Sequence, residues 1–203
     1  SSASRILPII DQKNNIQEIN NAKALKIQNA NIKFKDLIFS YEIDENKTLK
    51  SINLEFEGGK MTSLVGHSGS GKSTILNLIP RIYDAQSGEI TIDDQSIYET
   101  SLTSLRKEVS MVSQETTLFD DTVKNNIKYA KEDASDEEVI RVAKLSHCDE
   151  FINNLPNKFD TLIGENGVRL SVGENQRLSI YRAMIKNIYI ILLDEATSSL
   201  DSE

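Results

Sequence analysis

Residues 66–74 read GHSGSGKST, and the fold turns on how this stretch is understood. It satisfies the pattern GxxxxGK[ST], which carries chemical meaning between a strand and a helix. Upstream, residues 61–65 (MTSLV) form a short apolar run with the look of a strand. Downstream, residues 72–79 (KSTILNLI) read as a helix that stops near Pro80. Gly66, Gly69 and Gly71 let the backbone curl until successive N–H groups point inward, where a side chain would hold a phosphate away. Lys72 adds a mobile cation for β and γ phosphates, and the Ser73 hydroxyl can ligate Mg²⁺. The helix turns its positive end to the same anion. Ser68, Ser70 and Thr74 complete the nucleotide-binding stretch together with His67, which stands at a variable position, so its side chain reads as incidental. The competing reading is a glycine-rich turn with a chance lysine, and the flanking elements weigh against it.

Those elements belong to an α/β pattern. Apolar alternation at Ile32 and Phe34 shifts phase to Leu37, Phe39 and Tyr41, which predicts strands with a bulge near Lys35 and Asp36. Ile52, Leu54 and Phe56 form a second alternating run ending in EGGK, and short strands are expected at Glu89 to Ile92 and Val109 to Val112. A helical block then interrupts the scaffold: Ser135 and Glu138 have capping-box spacing, followed by helically recurring Val139, Ile140, Val142, Ala143, Phe151 and Ile152 up to Pro156. The scaffold resumes at residues 188–195, IYIILLDE, an apolar run of the kind found in strands covered on both faces. Asp194 and Glu195 leave its carboxyl end, where open α/β sheets place their ligands. Asp194 can hold Mg²⁺ and Glu195 can polarise an attacking water, roles suited to phosphoryl transfer.

Bulk properties narrow the class. A net charge of −8 argues against a nonspecific nucleic-acid binder, whose affinity comes from Lys and Arg on phosphates. The single cysteine, Cys148, cannot close an intrachain disulfide. No run approaches the roughly 18 apolar residues of a membrane span. Residues 1–28, rich in Asn, Gln and Lys, read as a linker whose SRILPII start resembles the end of a helix from something upstream.

In their order these motifs resemble the nucleotide-binding domains of ABC transporters, over about Ile32 to the end of the chain. The resemblance implies a P-loop NTPase (ABC ATPase) core with an antiparallel β subdomain and an inserted α-helical subdomain at about 115–180, the whole domain running over 29–203. It also implies roles. Tyr41 matches the aromatic on which adenine stacks, and Gln114 the glutamine that touches Mg²⁺ and the attacking water and links the site to the membrane domain. Thr161–Gly167, TLIGENG, resembles the X-loop of exporters, with Glu165 its acidic sensor of the membrane domain. Ser198 to Asp201, including Ser199, resembles the D-loop that crosses between subunits. The implied metal ligands are Ser73, Gln114 and Asp194, and the implied catalytic pair is Glu195 with Gln114. ATP and Mg²⁺ are the implied ligands. The implied partners are a transmembrane domain of the same polypeptide and a second cassette in a homodimer, at the cytoplasmic face of a bacterial inner membrane. Bacterial multidrug and lipid A half-transporters are the nearest in kind.

Two departures stand out. The family signature LSGGQ is here Leu170, Ser171, Val172, Gly173 and Glu174. In the family it closes in trans on the γ-phosphate through its serine and second glycine. Val172 should restrict the loop if its native φ is positive, and Glu174 should repel nucleotide unless it turns away. The family's switch histidine lies beyond the D-loop, whereas His67 and His147 lie upstream. The expectation is a truncated domain that hydrolyses ATP weakly by itself. Two rivals stay open: a soluble ABC clamp acting on ribosomes or DNA, and an ATP-regulated domain without turnover.

Overall fold

The computed structural model describes Leu7 and residues 16–41, 48–113 and 117–194. The chain divides into two compact units, residues 1–105 and 106–203.

The first unit is built on an antiparallel sheet of order β2-β1-β3-β4, comprising β1 (Ile32–Phe39), β2 (Leu49–Phe56), β3 (Ser87–Ile92) and β4 (Gln95–Ser96). Ile32, Phe34, Leu37 and Phe39 of β1 are buried, and the change of phase is a bulge: pairing with β2 slips between Phe34 and Leu37, with Asp36 at φ 47°. Asn53 staples the bulge, its carbonyl accepting from the Asp36 N–H (2.9 Å) and its amide donating to the Asp36 carboxylate (3.1 Å). Helix α1 (Lys72–Leu78) buries Thr74, Ile75 and Leu78 and ends ahead of Pro80 as expected.

Met61–Val65, expected as a strand, is not one; Met61 and Val65 are 93% and 94% exposed. Apolar content makes a strand only where a neighbouring backbone takes up its N–H and C=O groups. The edges of this unit's sheet are β2 and β4, and the run pairs with neither.

Residues 17–31 strap across the same unit. Lys23 exchanges backbone hydrogen bonds with Glu99 and Ser101 (3.0 and 2.8 Å), and Gln95 donates to the Lys26 carbonyl (2.6 Å). Four consecutive N–H groups, from Gln28 to Asn31, donate to the Asp93 carboxylate at 2.7 to 3.1 Å. Helix α2 (Leu102–Glu108) begins beside the start of the strap, its Leu102 N–H capped by the Glu18 carboxylate.

In the second unit β5 (Val109–Val112) and β8 (Ile190–Leu193) pair in parallel, and β6 (Asp121–Thr122) pairs antiparallel with β7 (Leu162–Ile163). Around them lie α3 (Val123–Lys128), α4 (Asp136–Leu145), α5 (Asp149–Asn154) and α6 (Val172–Ile185). Val123, Ile127, Val139, Val142, Ile152, Leu178 and Tyr181 form one buried core, sealed by a bond from the Tyr181 hydroxyl to the Val139 carbonyl. Ser135 caps α4, accepting the Glu138 N–H at 3.2 Å, while the Glu138 carboxylate binds Lys131 at 2.8 and 3.0 Å rather than returning to the cap. The expectation that β8 is covered on both faces is corrected: Ile190 and Leu192 are buried, but Ile191 is 38% exposed. A strand points successive side chains to opposite faces, and the face carrying Ile191 is incompletely covered. No described helix is long and apolar enough to cross a membrane.

Candidate nucleotide site

The loop from Gly66 to Gly71 has the conformation its glycines permit. Gly69 and Gly71 sit at φ 78° and 90°, in the left-handed region, and a Cβ on Gly71 would also stand 2.8 Å from Leu49. The turn is closed by the Ser70 N–H on the His67 carbonyl (3.1 Å) and passes into α1 through the Ile75 N–H on the Gly71 carbonyl (3.0 Å). Lys72 bends back across the loop, its ammonium donating to the carbonyls of Gly66 (2.9 Å) and His67 (3.0 Å). A cation is thereby held over a curled backbone, the electrostatic requirement for a polyphosphate. His67, Ser68 and Ser73 are exposed, while Thr74 is buried at 4% and its hydroxyl lies 2.9 Å from that of Tyr41. The ring of Tyr41 is half exposed, leaving surface on which a flat base could stack.

In the second unit the signature residues open α6. Ser171 is its N-cap and accepts the Glu174 N–H at 3.3 Å; Glu174 returns its carboxylate to the Ser171 N–H (2.7 Å) and hydroxyl (2.8 Å). This is a complete capping box. Val172 is the first helical residue, outside the positive-φ set, with its side chain 65% exposed. The condition for loop restriction by Val172 is therefore unmet. Glu174 does turn away, and it does so by engaging the serine hydroxyl. The spacing S-x-x-E carries this arrangement in the sequence, beside the reading that gives Ser171 a phosphate contact and has Glu174 repel nucleotide unless it turns away.

Asp194 follows β8, its N–H donating to the Val112 carbonyl at 2.9 Å, so the parallel pair delivers a carboxylate at a strand end. Gln114, Glu195, Ser199 and Asp201 lie outside the described residues. A cavity of about 400 Å³ in this unit is lined by Met111, Phe119, Tyr129, Arg182 and Lys186 among others. The rings of Phe119 and Tyr129 are 4.6 Å apart and both more than half exposed.

Behind this cavity lies a feature invisible to sequence reading. Asn126, fully buried, accepts the Phe119 N–H (3.0 Å) and donates to the carbonyls of Phe119 (2.9 Å), Asp121 (3.2 Å) and Thr122 (3.0 Å). Arg182 binds the Asn126 carbonyl (3.0 Å), its side-chain oxygen, and the Thr117 carbonyl (2.9 Å). Burial pushes the Arg182 guanidinium below its ordinary value. An asparagine within a polar run carries no local signal of burial.

A glycine-rich phosphate loop feeding a helix, and a parallel strand pair ending in an acidic residue, define the class of P-loop nucleotide-binding proteins. Comparison makes this specific: the ABC transporter family model matches residues 49–198, and the chain belongs to that family and carries its ATPase domain. An ATP-dependent lipid A-core flippase of Desulfotalea psychrophila is 46% identical over all 203 residues, which span 35% of that protein. The same-named flippase of Legionella pneumophila (strain Paris) is 50% identical over 187 residues, 92% of this chain and 32% of that one. Among solved structures, a bacterial Atm1-family ABC exporter with ATP bound matches with a TM-score of 0.91 and 39% identity, covering 98% of this chain and 35% of that one. The chain thus spans about a third of the length of these relatives.

Proposed function

We propose that the chain is the motor domain of a membrane exporter, binding and hydrolysing ATP to move a lipid or other hydrophobic substrate. The observation that carries this is the curled loop with the Lys72 ammonium held across it, 2.9 Å from the Gly66 carbonyl. Polyphosphate would draw Lys72 off the loop carbonyls and take its place among the N–H groups, an exchange of neutral acceptors for charged ones. Tyr41 would stack on the base. The family resemblance implies Ser73, Gln114 and Asp194 as Mg²⁺ ligands, all of which offer the hard oxygen donors that this ion takes; when bound it would neutralise phosphate charge. Glu195 would polarise the attacking water. Two copies related by a two-fold axis would close over two nucleotides, each between one cradle and the partner's Ser171 and Gly173, with Ser199 and Asp201 crossing between them. ATP would drive transport by binding the closed state better than the open one.

The exposed pair Phe119 and Tyr129 with the cations Arg182 and Lys186 supports a docking surface for a membrane domain of the same polypeptide, at the cytoplasmic face of a bacterial inner membrane. Relatives named as lipid flippases favour an exporter over a clamp on ribosomes or DNA.

A second reading, regulation by ATP without turnover, is favoured by one observation: the Ser171 hydroxyl is already committed to Glu174. Phosphate release from the intact transporter decides between them. Turnover that Glu195→Gln abolishes, with ATP binding retained, supports the motor; binding without release in the native protein supports regulation. Lys72→Ala should abolish binding under either, and unimpaired binding would remove the cradle from both.

A further inference from the structure

Tyr41 is one vertex of a triangle of rings. It meets Phe39 edge-on (centroids 5.0 Å apart, planes at 82°) and Tyr83 edge-on (5.2 Å, 90°), and Phe39 and Tyr83 close the third side at 5.8 Å. Phe39 is 3% exposed and anchored in β1, whereas Tyr41 and Tyr83 are 50% and 40% exposed. A ring that stands half in water at the end of a strand keeps rotamer freedom, which a base must remove on stacking. Two edge contacts and the hydroxyl pair with Thr74 remove much of it in advance.

Tyr83 is itself placed firmly. Its preceding residue, Ile82, donates to the Asn77 carbonyl at the end of α1 (3.0 Å), and the Arg81 guanidinium grips Asp84 at 2.7 and 2.8 Å. Two residues after Asp84, the Gln86 N–H donates to the Ile38 carbonyl (3.0 Å) and the Gln86 amide to the Ser40 hydroxyl (2.6 Å), tying this turn to the end of β1 that carries Tyr41. The segment 81–86 therefore connects the helix that begins with Lys72 to the strand end that holds the aromatic platform.

We infer that Tyr83 is a positioning residue for base recognition: it holds the Tyr41 ring in the orientation that accepts an aromatic base, without itself touching the nucleotide. The inference rests on the reading that Tyr41 stacks on the base. It predicts that Tyr83 matters for ligands with a base and not for bare polyphosphate.

The test uses the intact transporter and two probes, ATP and inorganic tripolyphosphate, the latter measured as a competitive inhibitor of ATP hydrolysis. Tyr83→Leu, which keeps bulk but loses the ring, should raise KM for ATP about 3- to 10-fold, the range expected for one aromatic pair. Its kcat and the tripolyphosphate inhibition constant should stay as in the native protein, and Tyr83→Phe should restore KM. An equal loss for both probes, or no loss for either, would overturn the proposal, the first by showing a loosened cradle and the second by showing an idle ring. Tyr41→Ala provides the separate check on the underlying reading. If it too weakens ATP and tripolyphosphate equally, Tyr41 is no base platform and the proposal falls with it; if it discriminates while Tyr83→Leu does not, only the proposal falls.

Discussion

Glu174 illustrates how one carboxylate acts twice. As the third residue of α6 it completes the capping box, and as a charge it occupies the hydroxyl of Ser171, which signature chemistry would offer to a phosphate. Gln at this position keeps the cap and removes the charge. Glu174→Gln is therefore expected to raise the ATPase rate of the intact transporter with little change in melting temperature. Val172→Gly should contribute no gain, since Val172 sits at an ordinary helical φ, and should cost a few tenths of a kcal/mol in helix propensity. Rates and melting curves of the two single variants separate these effects. Ser171→Ala should cost about 1 kcal/mol of stability, the usual loss for an N-cap. Cys148 gives a different residue-scale prediction: it is fully buried, and burial pushes its thiol up to about 11. The neutral thiol is unreactive, so alkylation at pH 8 should be on the order of 10²-fold slower in the native chain than after unfolding.

Among elements, the strap and the loop ahead of α3 depend on polar hubs. Burial pushes the Asp93 carboxyl up, but four backbone donors outweigh it and hold the group below the usual carboxylate range. A depressed carboxylate contributes stability above its unfolded value, about 3.9, and loses it as pH falls through the folded value. Residues 28–31 should therefore lose hydrogen-exchange protection below about pH 4, and Asp93→Ala should lose it at neutral pH. Strap protection unchanged in that variant would mean that the Lys23 and Gln95 contacts suffice. For the second hub, Asn126→Ala leaves the Phe119 N–H and the Arg182 guanidinium short of a partner. A loss of about 2–3 kcal/mol in denaturant unfolding is expected. The alternating strands, the bulge near Asp36 and the Ser135 cap were readable from spacing, because the pattern that marks each lies in residues close in the chain. Met61–Val65 and the open side of β8 were not, because a strand's pairing and covering come from segments remote in sequence.

At the scale of the whole molecule, two units each carry part of the proposed machinery, the cradle with its aromatic platform in one and the signature helix with Asp194 in the other. Ligand that binds the folded state stabilises it by mass action, about 2.7 kcal/mol at a hundredfold excess over Kd. MgATP should therefore raise the melting temperature of the intact protein, and Lys72→Ala should remove the rise. Glu195→Gln should keep the rise while lowering turnover about 10²- to 10⁴-fold. If Phe119 docks a membrane domain, Phe119→Ala should leave basal ATPase intact and blunt any stimulation by the proposed hydrophobic substrate.

GHSGSGKST, the strand end at Asp194 and the order of motifs around them were sufficient to determine the family and the curl of the loop, since backbone curvature and charge there depend on residues a few positions apart. What only the tertiary structure decided is where long-range polar and ring contacts fall. The triangle of Phe39, Tyr41 and Tyr83, the burial of Asn126 against Arg182, and the clasp of Asp93 on residues 28–31 join segments up to 65 positions apart. Such contacts leave no periodicity, because what places them is the packing of the chain and not the pattern of any one segment.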